Sequence, residues 1–389
     1  MSTERAERFL IIGGGIAAVT AAEEIRRIHP HASIVLISEE AALPYYRPAL
    51  SKSVPRPQSG EPFSLHPPEW YSQHGIFLLS GRTAARILPR SKEVELSDGE
   101  ILQYDKCILA TGAASATPAI EGHALPGIFT LRTLSDLNAL AQYVRPELRA
   151  VVIGGGILGL ESAWQLYLGG CHVTVLEAAE QLFAGRLRKE VSERIIRLGR
   201  EREVEIRTGA AVSRFEGDDR VRRVILPGEY LNADLVLCCC GNRPRTELAR
   251  EAGLEVDRGI LVNSRMMTGK YGIYACGDCA QIGQDVCGMW NTAENMGRFA
   301  GRNAAGEDAM YHPCPAPLLA EFFGVRLFAV GDCGAGSRAP RAEHTLQEDC
   351  EKFLYLNENK LCGAVLLGDI SQAAVLLGQI CDGRALSNV

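Results

Sequence analysis

The feature that most constrains this chain is a glycine-rich segment that occurs twice. "FLIIGGGIAAVTAAEEIRR" begins at Phe9, and "VVIGGGILGLESAWQL" begins at Val151. Each copy is a short apolar run, then three glycines, then small and apolar residues. An apolar run of this kind is typical of a buried parallel strand, and the glycines permit a tight turn into a helix. We therefore predict two strand–turn–helix units, one near the N-terminus and one in the middle of the chain.

The spacing of the small residues matches a dinucleotide-binding fingerprint in both copies. The first glycine makes the turn, the second lets a pyrophosphate approach the backbone, and the third small residue lets the helix pack closely on the strand. The anion then meets free N–H groups at the positive end of the helix dipole. The predicted cofactor-binding residues are Gly13, Gly14, Gly15, Ile16 and Ala17, with Ala18 as the third small residue, and Gly154, Gly156, Ile157, Leu158 and Gly159.

An acidic residue about 20 positions after such a fingerprint is expected to bind ribose hydroxyls. In the first copy "ASIVLISEE" supplies Glu39 or Glu40, and in the second "CHVTVLEAAE" supplies Glu177. Two complete sites in one chain predict two different dinucleotides. Two alanines follow Glu177 and no arginine stands ready for a 2′-phosphate, so the second site favours NADH over NADPH.

Composition sets limits on the class of protein. The 389 residues exceed what one hydrophobic core usually serves, and 47% hydrophobic with 23% charged residues is typical of a globular chain. The net charge of −6 argues against a nucleic-acid partner. We expect no membrane span and no signal peptide. The thirteen cysteines are expected to be reduced thiols of a cytoplasmic protein.

Two further motifs identify a family. "CILATGAASATP" contains Ala110, Thr111 and Gly112, and "GIYACGDCAQ" contains Gly277 and Asp278. With the first fingerprint they resemble the FAD-binding motifs of two-dinucleotide flavoprotein reductases with the glutathione reductase fold. The resemblance implies that Asp278 hydrogen-bonds the ribityl chain and that the Thr111–Gly112 turn lies along FAD. The first site would then hold FAD and the second NAD(H).

The same resemblance sets the expected architecture, an α/β fold with one Rossmann-like domain inserted in another. The segment from Gly241 is similar to the one that returns the chain to the FAD domain, and Gly241 itself is expected to be a cofactor-binding residue. We expect FAD-binding parts at 1–115 and 243–307, an NAD-binding domain at 116–242, and a small α+β C-terminal interface domain at 310–389. In that last domain, "EFFGVRLFAVGDC" is expected to form one strand, "LNENKLCG" a hairpin, and "ISQAAVLLGQICDG" a helix.

Disulfide reductases of this fold carry a redox-active cysteine pair early in the first domain, and some NADH oxidases carry one cysteine there, but the matching region of this chain has none. The matching region reads "SEEAALPYYRPALSKSV" from Ser38 to Val54. Electrons therefore have no thiol relay at this place, and the flavin is expected to pass them directly to an external acceptor.

The stretch "PYYRPALSK" resembles a subgroup of NADH:rubredoxin reductases, dioxygenase ferredoxin reductases and nitrite reductase flavin domains. This resemblance implies that Arg47 contacts the adenosine side of FAD, that Lys52 lies near the flavin ring, and that Glu161 pairs with Lys52. It further implies that Ala84 offers its backbone to the adenine and that Trp290 lies near the exposed flavin edge. Arg132 either touches the flavin or merely begins a helix. Lys52, Glu161 and Trp290 are the expected catalytic residues.

Two cysteine motifs are assigned structural roles. Cys276 and Cys279 form a C-x-x-C, but they flank the flavin motif and no second pair appears, so we predict no metal site. The triplet from Cys238 to Cys240 follows "ADLVL" and is expected to pack in the core.

The leading hypothesis is an NADH-dependent FAD reductase for a small redox protein, rubredoxin or ferredoxin, acting as a monomer or homodimer. A basic rim is expected to dock the carrier: Arg47, Lys52, Arg56 and Arg298. Three alternatives stay open. The chain is a flavin electron-input subunit of a larger reductase complex of the nitrite reductase type, an NADH oxidase (which the missing cysteine disfavours), or an NADH-sensing flavoprotein without fast turnover.

Overall fold

The computed structural model describes residues 6–56, 63–286, 288–313, 315–335, 341–347 and 350–382. Contacts divide the chain into two compact units. The first comprises Met1–Ala49, Gln58–Ala114 and Asn242–Pro313, and the second comprises Leu50–Pro57, Ser115–Gly241 and Cys314–Val389. The "PYYRPALSK" stretch is therefore shared, with Arg47 in the first unit and Lys52 in the second.

The regular elements alternate in the manner of an α/β protein. The α-helices are α1 (Ile16–Ile28), α2 (Pro68–Gln73), α3 (Leu134–Tyr143), α4 (Ile157–Leu168), α5 (Lys189–Glu201), α6 (Glu247–Glu251), α7 (Trp290–Ala304) and α8 (Ala373–Asp382). The strands are β1 (Arg8–Ile12), β2 (Ser33–Ser38), β3 (Ile76–Ser80), β4 (Ala84–Leu88), β5 (Glu93–Leu96), β6 (Ile101–Gln103), β7 (Lys106–Leu109), β8 (Ala113–Ser115), β9 (Ile128–Thr130), β10 (Arg149–Ile153), β11 (His172–Leu176), β12 (Glu205–Arg207), β13 (Arg214–Glu216), β14 (Arg223–Leu226), β15 (Glu229–Asn232), β16 (Leu235–Cys238), β17 (Asn242–Pro244), β18 (Ile260–Val262), β19 (Ile273–Ala275), β20 (Ala280–Ile282), β21 (Asp285–Val286), β22 (Leu318–Phe322), β23 (Val325–Gly331), β24 (Arg341–Gln347), β25 (Cys350–Asn357) and β26 (Lys360–Gly368).

A parallel five-stranded sheet forms the centre of the first unit, in the order β19-β7-β1-β2-β3. Residues Phe9 to Ile12 of β1 are buried, as the apolar run predicts. Helix α1 follows the first glycine turn and buries a face of small residues that includes Ala18 and Ala21. The carboxyl ends of β1, β7 and β19 lie side by side, which is the edge where parallel α/β sheets bind ligands.

The second unit repeats this design with a parallel sheet in the order β12-β11-β10-β16-β9. Strand β10 leads through the second glycine turn into α4. An antiparallel sheet, β13-β14-β15, packs buried side chains such as Phe215 and Val224 in one cluster with Val151 and Val236 of the parallel sheet. Both predicted glycine-turn units are present, and the predicted α/β class is confirmed.

The C-terminal segment of the second unit is an antiparallel sheet, β22-β23-β26-β25-β24, with α8 packed against it. The predicted hairpin joins β25 to β26, and both Glu358 and Asn359 have the positive φ of a tight hairpin turn. The predicted terminal helix is α8. The prediction of one strand in "EFFGVRLFAVGDC" was wrong, because the stretch turns at Phe323 and Gly324, which have φ values of +56° and +74°. Phenylalanine rarely adopts such a φ, so the sequence hides this turn.

Two further expectations can be compared with the fold. Over the described ranges, no helix combines the length and apolar character needed to cross a bilayer. Ten cysteines of these ranges carry free thiols, which agrees with the expected reduced state. The expectation was wrong for Cys381, which is disulfide-bonded. Sequence spacing does not show which sulfur atoms become neighbours in the fold.

Candidate functional site

The first glycine of each fingerprint is required by the turn. Gly13 has a φ of +137° and Gly154 a φ of +108°, values that L side chains rarely adopt. A Cβ at Gly13 would collide with the carbonyl group of Ala110, and a Cβ at Gly154 would collide with that of Cys239. The turn therefore presses directly against the end of the neighbouring strand, and no larger residue fits.

The helices that follow present open N-termini. Helix α1 is preceded by Gly15 and α4 by Gly156, and these N-cap glycines have no side chain that could cap the helix. A Cβ built on either glycine meets no atom within 4 Å. Free N–H groups facing open space at a helix N-terminus suit the pyrophosphate of a dinucleotide. Ile16, Ala17, Ile157 and Leu158 form the first turns of these helices.

The two copies differ at the third small residue. A Cβ at Gly159 would collide with the carbonyl oxygen of Gly154, so α4 lies against its own turn and needs glycine. At the same place in the first copy, Ala18 already carries a Cβ and is fully buried. The second turn is therefore the tighter of the two.

Strand register identifies the residue in the ribose-binding position of each copy. The N–H of Gly13 donates to Ile37 at 2.8 Å, and that of Gly154 donates to Leu176 at 2.7 Å. Ser38 therefore occupies in the first copy the place that Glu177 occupies in the second. The carboxylate of Glu177 accepts hydrogen bonds from Gly155 N (2.8 Å) and Ala179 N (2.9 Å). It is thus held beside the second fingerprint, and its contact with ribose stays a prediction.

The two acids of the first copy follow Ser38 and have different surroundings. Glu40 binds Arg47 Nη2 at 2.7 Å and the Tyr45 hydroxyl at 2.8 Å. Glu39 is exposed and pairs with Arg245. Burial lowers the pKa of Arg47, but Tyr45, Glu40 and nearby Asp278 together raise it above its usual value. Glu40 and Arg47 are therefore a partly buried charge pair beside the FAD motif aspartate.

The two FAD motifs converge on the carboxyl edge of the first sheet. Thr111 Oγ1 donates to the carbonyl oxygen of Arg245 at 2.9 Å, and Arg245 N donates to Gly112 at 3.0 Å. Asp278 lies in a single helical turn, Gly277–Cys279, directly after β19. Ala110 follows β7, the strand between β19 and β1. These two motifs and the first glycine fingerprint, which follows β1, thus surround one edge of the sheet, and this part of the site fits a dinucleotide.

The C-x-x-C in this region is structural. Cys276 and Cys279 are fully buried, and the Cys279 thiol lies 3.5 Å from the carbonyl oxygen of Leu109. Burial raises the pKa of Cys279 and so disfavours a reactive thiolate. Within the described ranges, no group of three or more histidine, cysteine or acidic side chains is arranged to hold a metal ion.

Three other residues to which the family resemblance assigns roles lie at or next to the ends of helices and strands. Trp290 begins α7, and its ring meets that of Tyr46 edge to face, with centroids 4.9 Å apart. Ala84 begins β4 beside an irregularity in its pairing with β5. Arg132 precedes α3, and its N–H donates to Asp136, a member of the capping box of that helix. Arg132 thus lies just before the start of α3, and its contact with flavin stays a prediction.

Lys52 and Glu161 form the predicted pair in the second unit. Lys52 Nζ lies 3.8 Å from Glu161 Oε1. Sequence reasoning missed two further partners: the Ser51 hydroxyl donates to Oε2, and Glu321 N donates to Oε1 at 3.0 Å. Burial raises the pKa of Glu161, while Ser51, Lys52 and the Glu321 amide lower it, and the net direction is upward. No sequence pattern could have revealed the Glu321 contact, because Glu161 and Glu321 are 160 residues apart.

The cysteine triplet is only partly in the core. Cys238 ends β16 and is buried, but Cys240 is exposed, so the core-packing prediction was wrong for it. The chain leaves the sheet after Cys238 and reaches Gly241 at a φ of +94°. Although the residue as a whole is exposed, its sulfur is partly buried, and this partial burial together with the Glu177 carboxylate raises the pKa of the thiol.

The expected basic rim is largely neutralised. Arg298 contacts Glu294 at 3.3 Å and Glu24 at 3.6 Å, and Arg47 and Lys52 have the carboxylate partners described above. Arg56 is exposed. These residues therefore contribute less net positive charge than their number suggests.

Comparison with known proteins decides the family. The family described as pyridine nucleotide-disulphide oxidoreductase matches residues 7–297. The chain belongs to this family. A benzene 1,2-dioxygenase ferredoxin–NAD(+) reductase subunit of Pseudomonas putida is 36% identical over 71% of the chain and 67% of the relative. An NADH-rubredoxin oxidoreductase of Clostridium acetobutylicum is 29% identical over 99% of the chain and 97% of the relative.

A solved structure gives the same result for the whole chain. The putidaredoxin reductase in its covalent complex with putidaredoxin superposes with a TM-score of 0.91 at 28% identity, covering 98% of this chain and 95% of that one. The protein is thus an oxidoreductase of the two-dinucleotide type, with FAD and NAD(H) as its cofactors. The predicted resemblance, fold class and cofactors are confirmed.

Proposed function

We propose that this protein transfers electrons from NADH through FAD to a small one-electron carrier, rubredoxin or ferredoxin. The observation that carries the proposal is the pair of glycine cradles combined with the absence of cysteine from residues 38–54. Relatives that reduce such carriers support it: besides those above, a rubredoxin–NAD(+) reductase of Pseudomonas putida is 36% identical over 70% of the chain and 71% of the relative.

The residues of the chain bind and orient the cofactors. The N-terminal N–H groups of α1 hold the FAD pyrophosphate and those of α4 hold the NADH pyrophosphate. Glu177 accepts hydrogen bonds from the ribose hydroxyls of NADH. Arg47 and Asp278 contact FAD, as the resemblance implies. Bound FAD would supply the redox chemistry, namely the uptake of two electrons from NADH and their release one at a time.

Charged and aromatic side chains have the remaining roles. Lys52 supplies positive charge toward the electron-rich flavin, which stabilises the reduced cofactor, and Glu161 holds Lys52 in place. Tyr46 and Trp290 border the surface where the carrier docks. A docking interface of this kind is small, below about 1,200 Å². We include a cytoplasmic location in the proposal, which the ten free thiols support.

One assay tests the proposal. The purified flavoprotein is mixed with NADH and with rubredoxin, a [2Fe–2S] ferredoxin or ferricyanide, and acceptor reduction is followed by absorbance. We expect rapid reduction of at least one carrier, unaffected by alkylation of accessible thiols. A slow reaction with every acceptor, together with a long-lived charge-transfer band, would instead indicate an NADH-sensing flavoprotein.

A second candidate function rests on another relative. The assimilatory nitrate reductase electron transfer subunit of Bacillus subtilis is 29% identical over 98% of this chain but only 50% of its own length. This chain would then deliver electrons within a larger reductase complex. Co-purification of the native protein with a reductase subunit, and electron transfer to that subunit but to no free carrier, would favour this alternative.

A further inference from the structure

We propose that Ser51 and the main-chain N–H of Glu321 are positioning groups for Glu161 and, through it, for Lys52. The C-terminal sheet would thereby support the electron-transfer site. The inference rests on the proposed function for the role of Lys52, but the contacts that carry it lie entirely within the second unit.

Each oxygen of the Glu161 carboxylate has its own neutral donor. Ser51 donates to Oε2, and Glu321 N donates to Oε1 at 3.0 Å. The Lys52 ammonium lies 3.8 Å from Oε1, which is beyond hydrogen-bond distance. The two neutral donors therefore fix the direction of the carboxylate, and the lysine, about half exposed, is attracted to an acceptor that is already in place.

These donors also favour the charged form of Glu161. A buried carboxylate without hydrogen bonds takes up a proton rather than remain ionised, and Glu161 is only 4% exposed. Of the charged groups that face it, Lys52 favours the anion and the Glu321 carboxylate opposes it. Loss of the Ser51 hydroxyl would remove one of the contributions that keep the carboxylate ionised, and its hold on Lys52 would weaken.

The position of Glu321 in its sheet explains why its N–H is available. Strand β22 is the edge of the C-terminal sheet, and Glu321 is paired with Arg326 of β23 on one side only. On the outer side, main-chain groups of an edge strand have no strand partner. Glu161 of α4 accepts the N–H there, so it joins this sheet to the helix that begins at the second glycine turn.

The test compares Ser51→Ala with Ser162→Ala. Ser162 is the next residue after Glu161, is fully buried, and its hydroxyl has no hydrogen-bond partner among the described atoms, so its removal is a matched control. The first readout is acylation of Lys52 by acetic anhydride, measured by mass spectrometry of the holoprotein. We expect Ser51→Ala to raise that rate at least about threefold, because the lysine loses part of its hold, and Ser162→Ala to leave it unchanged.

The second readout is the pH profile of flavin reduction by NADH in stopped flow. Because the Ser51 hydroxyl lowers the pKa of Glu161, its removal raises that pKa further, and the acidic limb of the profile should move to higher pH. Ser51→Thr keeps the hydroxyl and should restore both readouts. The proposal would be overturned if Lys52 of Ser51→Ala were acylated at the same rate as in the unsubstituted protein and the acidic limb of its pH profile did not move.

A second pair of variants tests the main-chain donor and covers the case in which Ser51→Ala does not fold. Glu321→Pro removes the outward N–H, which an edge strand tolerates, whereas Glu321→Ala keeps it. We expect faster Lys52 acylation with proline and not with alanine, and equal rates would count against the role of this N–H. The acylation readout does not depend on electron transfer. Changed acylation in a protein that reduces no carrier would refute the proposed function and leave the positioning role standing.

Discussion

The N–H of Gly155 donates to Oε2 of Glu177 at 2.8 Å, which ties the carboxylate that we predict to bind ribose to the middle glycine of its own fingerprint. The other carboxylate oxygen, Oε1, accepts the N–H of Ala179 at 2.9 Å. The carboxylate is therefore oriented by the backbone before any nucleotide binds. This preorganisation reduces the cost of forming hydrogen bonds to ribose hydroxyls.

Replacing Glu177 by alanine should erode the preference for NADH. Hydrogen bonds to a charged group contribute about 1.5–3 kcal/mol, so we expect the NADH/NADPH ratio of kcat/KM to fall roughly 10-fold or more. Steady-state kinetics with both nucleotides measures this. Glu180→Ala, an exposed carboxylate three residues further on, is the control. An unchanged ratio in Glu177→Ala would contradict the assignment.

Gly159→Ala should disturb the NADH cradle, while Ala18→Gly should leave the FAD cradle working. The new methyl group would collide with the carbonyl oxygen of Gly154, and overpacking of this kind costs about 1–3 kcal/mol. We expect a higher KM for NADH and a lower Tm. Ala18→Gly introduces no collision and costs only about 0.5–1 kcal/mol of helix stability. If Gly159→Ala and Ala18→Gly changed cofactor binding and Tm equally, the second glycine turn would not be more tightly packed than the first.

Lys52→Ala should slow flavin reduction by NADH while FAD stays bound. The substitution removes the positive charge that the mechanism places near the electron-rich flavin, and we expect a loss of about 10-fold, or 1.4 kcal/mol of transition-state stabilisation. Stopped-flow absorbance measures the rate, and the protein-bound flavin spectrum measures occupancy. Lys189→Ala, an exposed lysine paired with Glu193 at 3.9 Å, is the matched control. Unchanged rates would remove Lys52 from the mechanism.

Tyr46→Ala should impair reduction of a protein carrier more than reduction of a small dye. Tyr46 is 45% exposed and packs edge to face on Trp290, so its loss removes part of the docking surface without touching either glycine cradle. We expect a higher KM for rubredoxin or ferredoxin and an unchanged rate with ferricyanide. Tyr271→Ala, a more exposed tyrosine in the same unit, is the comparison. If the carrier and the dye slow equally, Tyr46 acts on the flavin and not on docking.

Salt should weaken reduction of an acidic carrier only modestly. Arg47, Lys52 and Arg298 already face carboxylates, so little net positive charge remains at these positions for long-range attraction, which salt screens beyond about 8–10 Å. Measuring kcat/KM for the carrier from low to high ionic strength, with a neutral dye as reference, gives the difference. A steep loss confined to the carrier would reveal a stronger basic surface elsewhere.

The sequence predicted the local part of each site well. Gly13, Gly154 and the helices that follow them depend on neighbours within a few residues, so spacing alone revealed them. The same holds for the hairpin at Glu358 and Asn359, where the polar turn lies between two apolar runs. The turn at Phe323 and Gly324 was missed because the first of its two residues with positive φ is a phenylalanine, a residue type that seldom adopts such a φ.

Long-range partners were beyond sequence reasoning unless a family resemblance supplied them. The pairing of Lys52 with Glu161 came from that resemblance, whereas the Ser51 and Glu321 donors did not. Ser51 and Glu321 are so far from Glu161 along the chain that no periodic pattern in the sequence relates them. The exposure of Cys240 was likewise not predictable, because the sequence does not show the residue at which a buried strand leaves its sheet.

By itself, the sequence determined that two strand–turn–helix cradles form, because a glycine at a positive φ and an apolar strand are local requirements that only certain residues meet. The tertiary structure decided which charges are held and by what. Glu161, the Ser51 hydroxyl and the edge of the C-terminal sheet meet only after distant segments pack. Burial then makes each unpaired charge costly, so the fold and not the local sequence selects its partner.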